Sequence, residues 1–188
     1  MKLRAIAMVS ILGAGALALS GDALSERCWS KFHAIESGQA KRGSVVLFTP
    51  AELNAWIQVN IPQMEAGLRN PRLQLEAGGA TGTVLVDFVK LRRAKGVETN
   101  IFLAKLLEGE RPLKVSARVE SGQGQATVHL TSVELAGIDV TGTLLEYLVK
   151  NFLLPEFPDA KIERPFELRD NMERIDIQPD AARVTIKK

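Results

Sequence analysis

The sequence predicts an α+β fold, a single domain in which a curved antiparallel β-sheet wraps around two amphipathic helices. Three observations carry this expectation. A helix start at Thr49-Pro50-Ala51-Glu52 is followed by Leu53, Trp56, Ile57 and Ile61 on one helical face. At least five later stretches alternate apolar and polar residues with period two, as strands do when one sheet face is dry and the other wet. A second amphipathic stretch from Thr141 to about Leu153 carries Leu145, Leu148, Val149 and Leu153, so the chain offers two good helices to cover the dry face.

At 188 residues the chain is long enough for one domain with a hydrophobic core and short for two. Its 5% aromatic content is too low for a surface that stacks on nucleic acid, so no nucleic-acid partner is expected. Lys2 and Arg4 precede an uncharged apolar run from Ala5 to Leu19, which reads as a signal peptide over residues 1–20, cut near Ser20 or Ser25. The run is shorter than the ~20 residues a spanning helix needs, so an uncleaved membrane anchor is the less favoured alternative. Without it, 22 Lys and Arg (24 less Lys2 and Arg4) balance 22 Asp and Glu, and the basic balance of the whole chain says nothing about partners. Cys28 stands alone, which excludes an intramolecular disulfide, and the charged Ser25-Glu26-Arg27 before it does not resemble a lipidation box.

Taken in order, residues 21–42 form a short helix with Trp29, Phe32 and Ile35 on one face, then a linker; the domain proper runs over 43–188. The strand Val45 to Phe48 hands over to the capped helix, which Pro62 is expected to kink or end. Strands over 72–77 and 84–89 flank Gly78-Gly79, with Val84, Val86 and Phe88 on one face. Residues 92–99 read as irregular and Ile101 to Leu107 as a short helix. In the clearest hairpin, Leu113, Val115, Ala117 and Val119 face one way, Ser121 to Gly124 turn the chain, and Ala126, Val128 and Leu130 return on the same face. Val133 and Leu135 are out of phase with them, which predicts a bulge near Thr131-Ser132. After the second helix, Arg174 to Gln178 pair with Arg183 to Lys187 across Pro179 to Ala182.

No residue pattern supplies catalysis. The two histidines, His33 and His129, sit in no metal-spaced cluster, and no Gly-x-Ser-x-Gly elbow is present. Asp87 and Asp139 read as solvated, and the glycine-rich Gly78 to Gly82 leads into a strand rather than a helix, unlike a phosphate loop. The expectation is a non-enzymatic chain with no metal and no cofactor. The one basic run, Lys90, Arg92, Arg93 and Lys95, is placed to meet anionic lipid head groups if it borders an apolar groove.

Several phrases support such a groove: Glu52-Leu53-Asn54 in a threonine-capped helix after a strand, the hairpin over 113–135, Leu135-Ala136-Gly137-Ile138-Asp139-Val140 leading into Leu144-Leu145, and Pro165-Phe166-Glu167-Leu168 before a final hairpin. Over roughly residues 43–187 the chain resembles the YpmS-like and LmeA-like small exported proteins, short relatives of tubular lipid-binding proteins. Where those groups often carry proline at the start of the second helix, this chain has Thr141-Gly142-Thr143. The resemblance implies a sheet curved around helices, an apolar groove for acyl chains, a periplasmic or cell-envelope location and no catalytic residues. The groove lining expected is Leu53, Trp56 and Ile57, then Val86, Phe88, Val115 and Val128, then Leu145, Leu148 and Phe152, with Lys90, Arg92 and Arg93 toward the head group. The expected partner is a lipid or another long apolar molecule, with possible contact to a membrane surface. A structural or adaptor protein of the envelope, its core filled, is the alternative.

Overall fold

The computed structural model describes residues 20–64, 67–95, 108–150 and 163–188. The signal-peptide run, the helix expected over Ile101 to Leu107 and the end of the second amphipathic stretch lie outside these residues. Helix α1 (Gly21–Glu36) starts where the Ser20 hydroxyl accepts the Ala23 N–H at 3.4 Å. Strand β1 (Val45–Phe48) leads into α2 (Pro50–Met64) through a reciprocal cap: Thr49 Oγ1 accepts the Glu52 N–H at 3.2 Å, and Glu52 Oε2 accepts the Thr49 N–H at 2.9 Å. The helix runs two residues past Pro62, whose missing N–H leaves the Gln58 carbonyl without its helical donor one turn before the helix ends.

Strands β2 (Leu68–Glu76), β3 (Gly79–Asp87), β4 (Glu110–Gly122), β5 (Gln125–Leu135) and β6 (Ile138–Asp139) form one antiparallel sheet in that order, and β7 (Phe166–Glu167) joins it on β5. Helix α3 (Phe88–Lys95) follows β3, and α4 (Gly142–Leu148) follows β6. Strands β8 (Met172–Gln178) and β9 (Ala181–Ile186) pair across a two-residue turn, and β1 adds to β9, giving a second sheet ordered β1-β9-β8. The result is a single α+β domain, mostly antiparallel and largely curved.

The sheets meet at β8, and a side chain joins them. Ser121 Oγ accepts the Ile175 N–H at 2.8 Å and donates to the Ile175 carbonyl at 2.6 Å, standing in for a strand neighbour. The Gly78 and Gly124 N–H groups reach the carbonyls of Ile177 and Glu173, each at 2.9 Å. Other side chains cover open edges in the same way. The Asn54 amide exchanges two hydrogen bonds with the backbone of Leu73 on β2, at 2.9 and 2.7 Å. On β5, Glu163 takes the Leu130 N–H at 2.9 Å and gives its own N–H to Val128 at 2.9 Å.

Two hydrophobic clusters result. Cys28, Ile35, Phe48, Val184 and Ile186 are buried between α1, α2 and the small sheet, with Phe32, Leu53 and Trp56 packed against them. Phe32 lies 4.7 Å from the Phe48 ring centroid and meets Trp56 edge-on at 5.3 Å. The second cluster joins Val86, Phe88, Leu91, Val133, Leu135, Val140 and Leu148 between the large sheet, α3 and α4.

Several expectations need correction. Phe88 is on a helix, not a strand, because the Asp87 carboxylate accepts the Lys90 N–H at 3.0 Å and caps α3, so residues expected to be irregular are helical as far as Lys95. Trp29 does not join Phe32 and Ile35 in the core; it is 54% exposed and stacks on His33 at 6.1 Å. The strands form two sheets, and α2 and α4 are seated in different clusters. The expected bulge is present: Thr131 is the extra residue between the pairs Ser116↔Ser132 and Ala117↔Leu130. No described helix is long and apolar enough to cross a membrane.

Candidate functional site

Strand register decides which side chains share a face. Directly opposed residues point the same way, so the pairs Val86↔Arg111, Val84↔Leu113, Gly82↔Val115 and Ala80↔Ala117 lie on one side of the large sheet. The pairs Leu113↔Leu135, Val115↔Val133, Ala117↔Leu130 and Val119↔Val128 extend that side across β5. This inner face is apolar along its whole middle. Its two ends differ: α3 and α4 cover the Val86 and Leu135 end, while Ser121 meets β8 at the other.

Between those ends lies a trough-like strip of small and apolar side chains. Ala80, Gly82, Val115, Ala117, Val119, Val128 and Leu130 are all half-buried, Val115 and Leu130 among them packed against the α3/α4 cluster. Ala80, Gly82 and Ala117 stand side by side in its centre, where small side chains keep the floor low. An apolar strip of this width needs a cover to be free of water, because each exposed apolar Å² costs about 25 cal/mol.

Of the groove residues expected from the sequence, Val86, Phe88 and Leu148 are buried in the α3/α4 cluster, and Val115 and Leu145 are packed against it. Val128 lies farther along the same face, opposite Val119. Leu53 and Trp56 belong to the other cluster, Ile57 is half-buried in neither, and Phe152 lies outside the described residues. Trp56 Nε1 is sealed from solvent with no hydrogen-bond partner. The structure thus gathers five of the expected residues at one end of the large sheet and leaves the first-helix pair in the separate cluster with α1 and the small sheet.

The charged groups near this face are few. Asp87 is held below the usual carboxylate range chiefly by the Lys90 N–H, and its carboxylate also holds the Lys90 ammonium at 3.2 Å. Lys90 is therefore paired on its own helix; Arg92 and Arg93 fall in the same helix, and their side chains lie outside the description. Arg111 is the residue that the sequence reading missed. It occupies the inner face opposite Val86, its Nε is sealed from solvent without a partner, and among the described residues no ion pair engages it.

Elsewhere the polar groups have structural duties. The Glu52 carboxylate, 6% exposed, receives two bonds from Lys31 Nζ at 2.6 and 2.7 Å, and Lys31 also bonds the Leu47 carbonyl, tying α1, β1 and α2 together. Burial pushes the Cys28 thiol up to about 11, with the Glu52 charge adding to the rise. His129 bonds Glu163 at 2.7 Å and lies 3.7 Å from Glu120. Two surface clefts, about 380 Å³ beside Gln58, Arg69 and Arg72 and about 240 Å³ beside Arg42, Asn171 and Lys187, involve none of the expected groove residues. Among the described residues no group of three or more His, Cys, Asp or Glu is placed to hold a metal.

The chain matches no protein-family model, no curated protein and no solved structure.

Proposed function

We propose that this chain is an exported, non-enzymatic carrier of lipid or another long apolar molecule, working in lipid handling in the periplasm or cell envelope. One observation carries the reading: the half-buried apolar trough on the inner face of the large sheet, low-floored at Ala80, Gly82 and Ala117. A linear acyl chain has the shape that such a strip would cover, and it needs no directional bonds along its length. On this reading the sheet curves around the ligand, with α4 closing one end and α2 lying along the β2 edge, in the manner implied by the resemblance to the YpmS-like and LmeA-like proteins.

A second reading has its own support. Val45 and Leu47 are 55% and 41% exposed on β1, an edge strand, which suits an envelope adaptor that docks a protein partner. The two readings part on one experiment. The purified chain is examined by native mass spectrometry with solvent extraction, and its uptake of a fluorescent fatty acid is titrated. For a carrier, Ala117→Phe fills the trough and abolishes uptake while circular dichroism and melting stay near wild type. A chain that co-purifies with no lipid and takes up no probe is not a carrier, and the adaptor reading replaces it.

A further inference from the structure

We infer that Arg111 is the anchor for an anionic head group, a carboxylate or phosphate, at the α3/α4 end of the trough; this rests on the carrier reading and adds the ligand's charge and orientation. The inner face shows why. Reading along it from β3 to β5, the members are Ala, Gly, Val and Leu, with Ser121 at the far end engaged by β8, and Arg111 is the one charged residue. Its carboxylate neighbours are turned away or occupied. Glu110 and Asp87 oppose each other on the outer face, Glu110 bonded to Arg69 at 2.9 Å and Asp87 to Lys90.

Arg111 is half-buried, and its sealed Nε–H, without a partner among the described residues, is a donor that gains from an arriving acceptor. Its planar donors suit the two oxygens of a carboxylate or phosphate. The position also fits the geometry of an amphiphile. An oxyanion at Arg111 directs its chain past Leu113 and Val115, which border the α3/α4 cluster, toward Ala117 on the same face of β4. The trough then runs from a charged end toward an apolar one.

The test compares three probes of equal chain length on the wild-type protein: oleic acid, its lysophosphatidic acid counterpart and oleyl alcohol. The two anions are expected to bind at least about tenfold more tightly than the alcohol, the worth of one charged hydrogen-bonded contact. Arg111→Gln removes that preference and leaves alcohol binding unchanged, while Arg111→Lys retains most of it. A preference for one anion identifies its source as a fatty acid or a phospholipid, and either supports the anchor. Equal binding of acids and alcohol by wild-type protein overturns the anchor, even if Arg111→Gln does not fold, and leaves the carrier reading standing. Binding of none of the three removes both.

Discussion

Replacing Lys31 with alanine should cost this protein about 2 kcal/mol of stability, and the value follows from what is left behind. Both Glu52 oxygens accept from Lys31 Nζ, and Oε2 also accepts from the Thr49 N–H and hydroxyl. Without Lys31 the carboxylate keeps only Thr49. Stranding a fully buried charge costs about 3–5 kcal/mol, and breaking an exposed pair costs about 0.2–1 kcal/mol. Glu52 is 6% exposed and Lys31 30%, so the case falls between these limits. For a chain of this length, about 2 kcal/mol is a fall of roughly 4–8 °C in Tm. Glu52→Gln removes the stranded charge while keeping an acceptor for Thr49, and should cost about 1 kcal/mol. The pH dependence carries a sign. Burial raises the Glu52 pKa, but the Lys31 bonds, the Thr49 N–H and the Lys31 charge together hold it below the usual 4.5. Its contribution is therefore complete above 4.5 and is lost as the pH falls through the lower native value. In Lys31→Ala burial acts without the cation, so the acid loss over that window should flatten. Urea titrations of both variants at neutral and acid pH decide it. A Lys31→Ala loss under about 0.5 kcal/mol, or a Glu52→Gln loss larger than it, refutes the reasoning.

Two further predictions concern the joints of the fold. Ser121→Ala leaves the Ile175 N–H and carbonyl without their partner and should destabilise by about 2 kcal/mol, with hydrogen exchange accelerating first at the Ile175 amide; unchanged protection there would show that β8 is held by other contacts. The His129 pKa should lie above 6.5 by NMR titration, raised chiefly by its hydrogen bond to Glu163, so that its contribution is complete below 6.5 and is lost as the pH rises through the higher native value. Glu163→Gln should bring it back toward 6.5, and a histidine that titrates identically in both proteins would contradict the contact.

The signals that proved readable in the sequence were local ones. The Thr49 to Glu52 cap satisfies its donors within four residues, the bulge at Thr131 is a break in an apolar period, and the turns after Gly122 and Gln178 lie between alternating runs. The misplaced residues depended on competition between distant parts. Trp29 has helical spacing with Phe32, yet Cys28 and Ile35 occupy the face that meets α2, and Trp29 is turned aside. Phe88 continued a strand period, but a carboxylate at Asp87 offered the backbone a cap, and the chain turned into a helix. The division into two sheets rests on Ser121, Asn54 and Glu163 completing strand edges across 54, 19 and 33 residues. Period and propensity do not report on partners so far apart.

Arg111 marks the boundary between these two kinds of information. Its parity with Leu113, Val115 and Ala117 is plain in the sequence, and extending the period by one step puts it on the apolar face. What the sequence alone lacks is the reason to extend it, since a proline at position 112 argues against a strand running through it. The structure starts β4 at Glu110, and with that start Arg111 becomes the charged terminus of an apolar strip. Small residues have the same double meaning. Ala80, Gly82 and Ala117 read individually as weak strand formers, and only their adjacency across β3 and β4 makes them a low floor. A core would gain from larger side chains at these positions, by about 0.8 kcal/mol for each CH₂ buried. That three neighbouring positions forgo this gain, on the same face as an arginine whose Nε has no partner among the described residues, is what the proposed carrier role accounts for and a filled core does not.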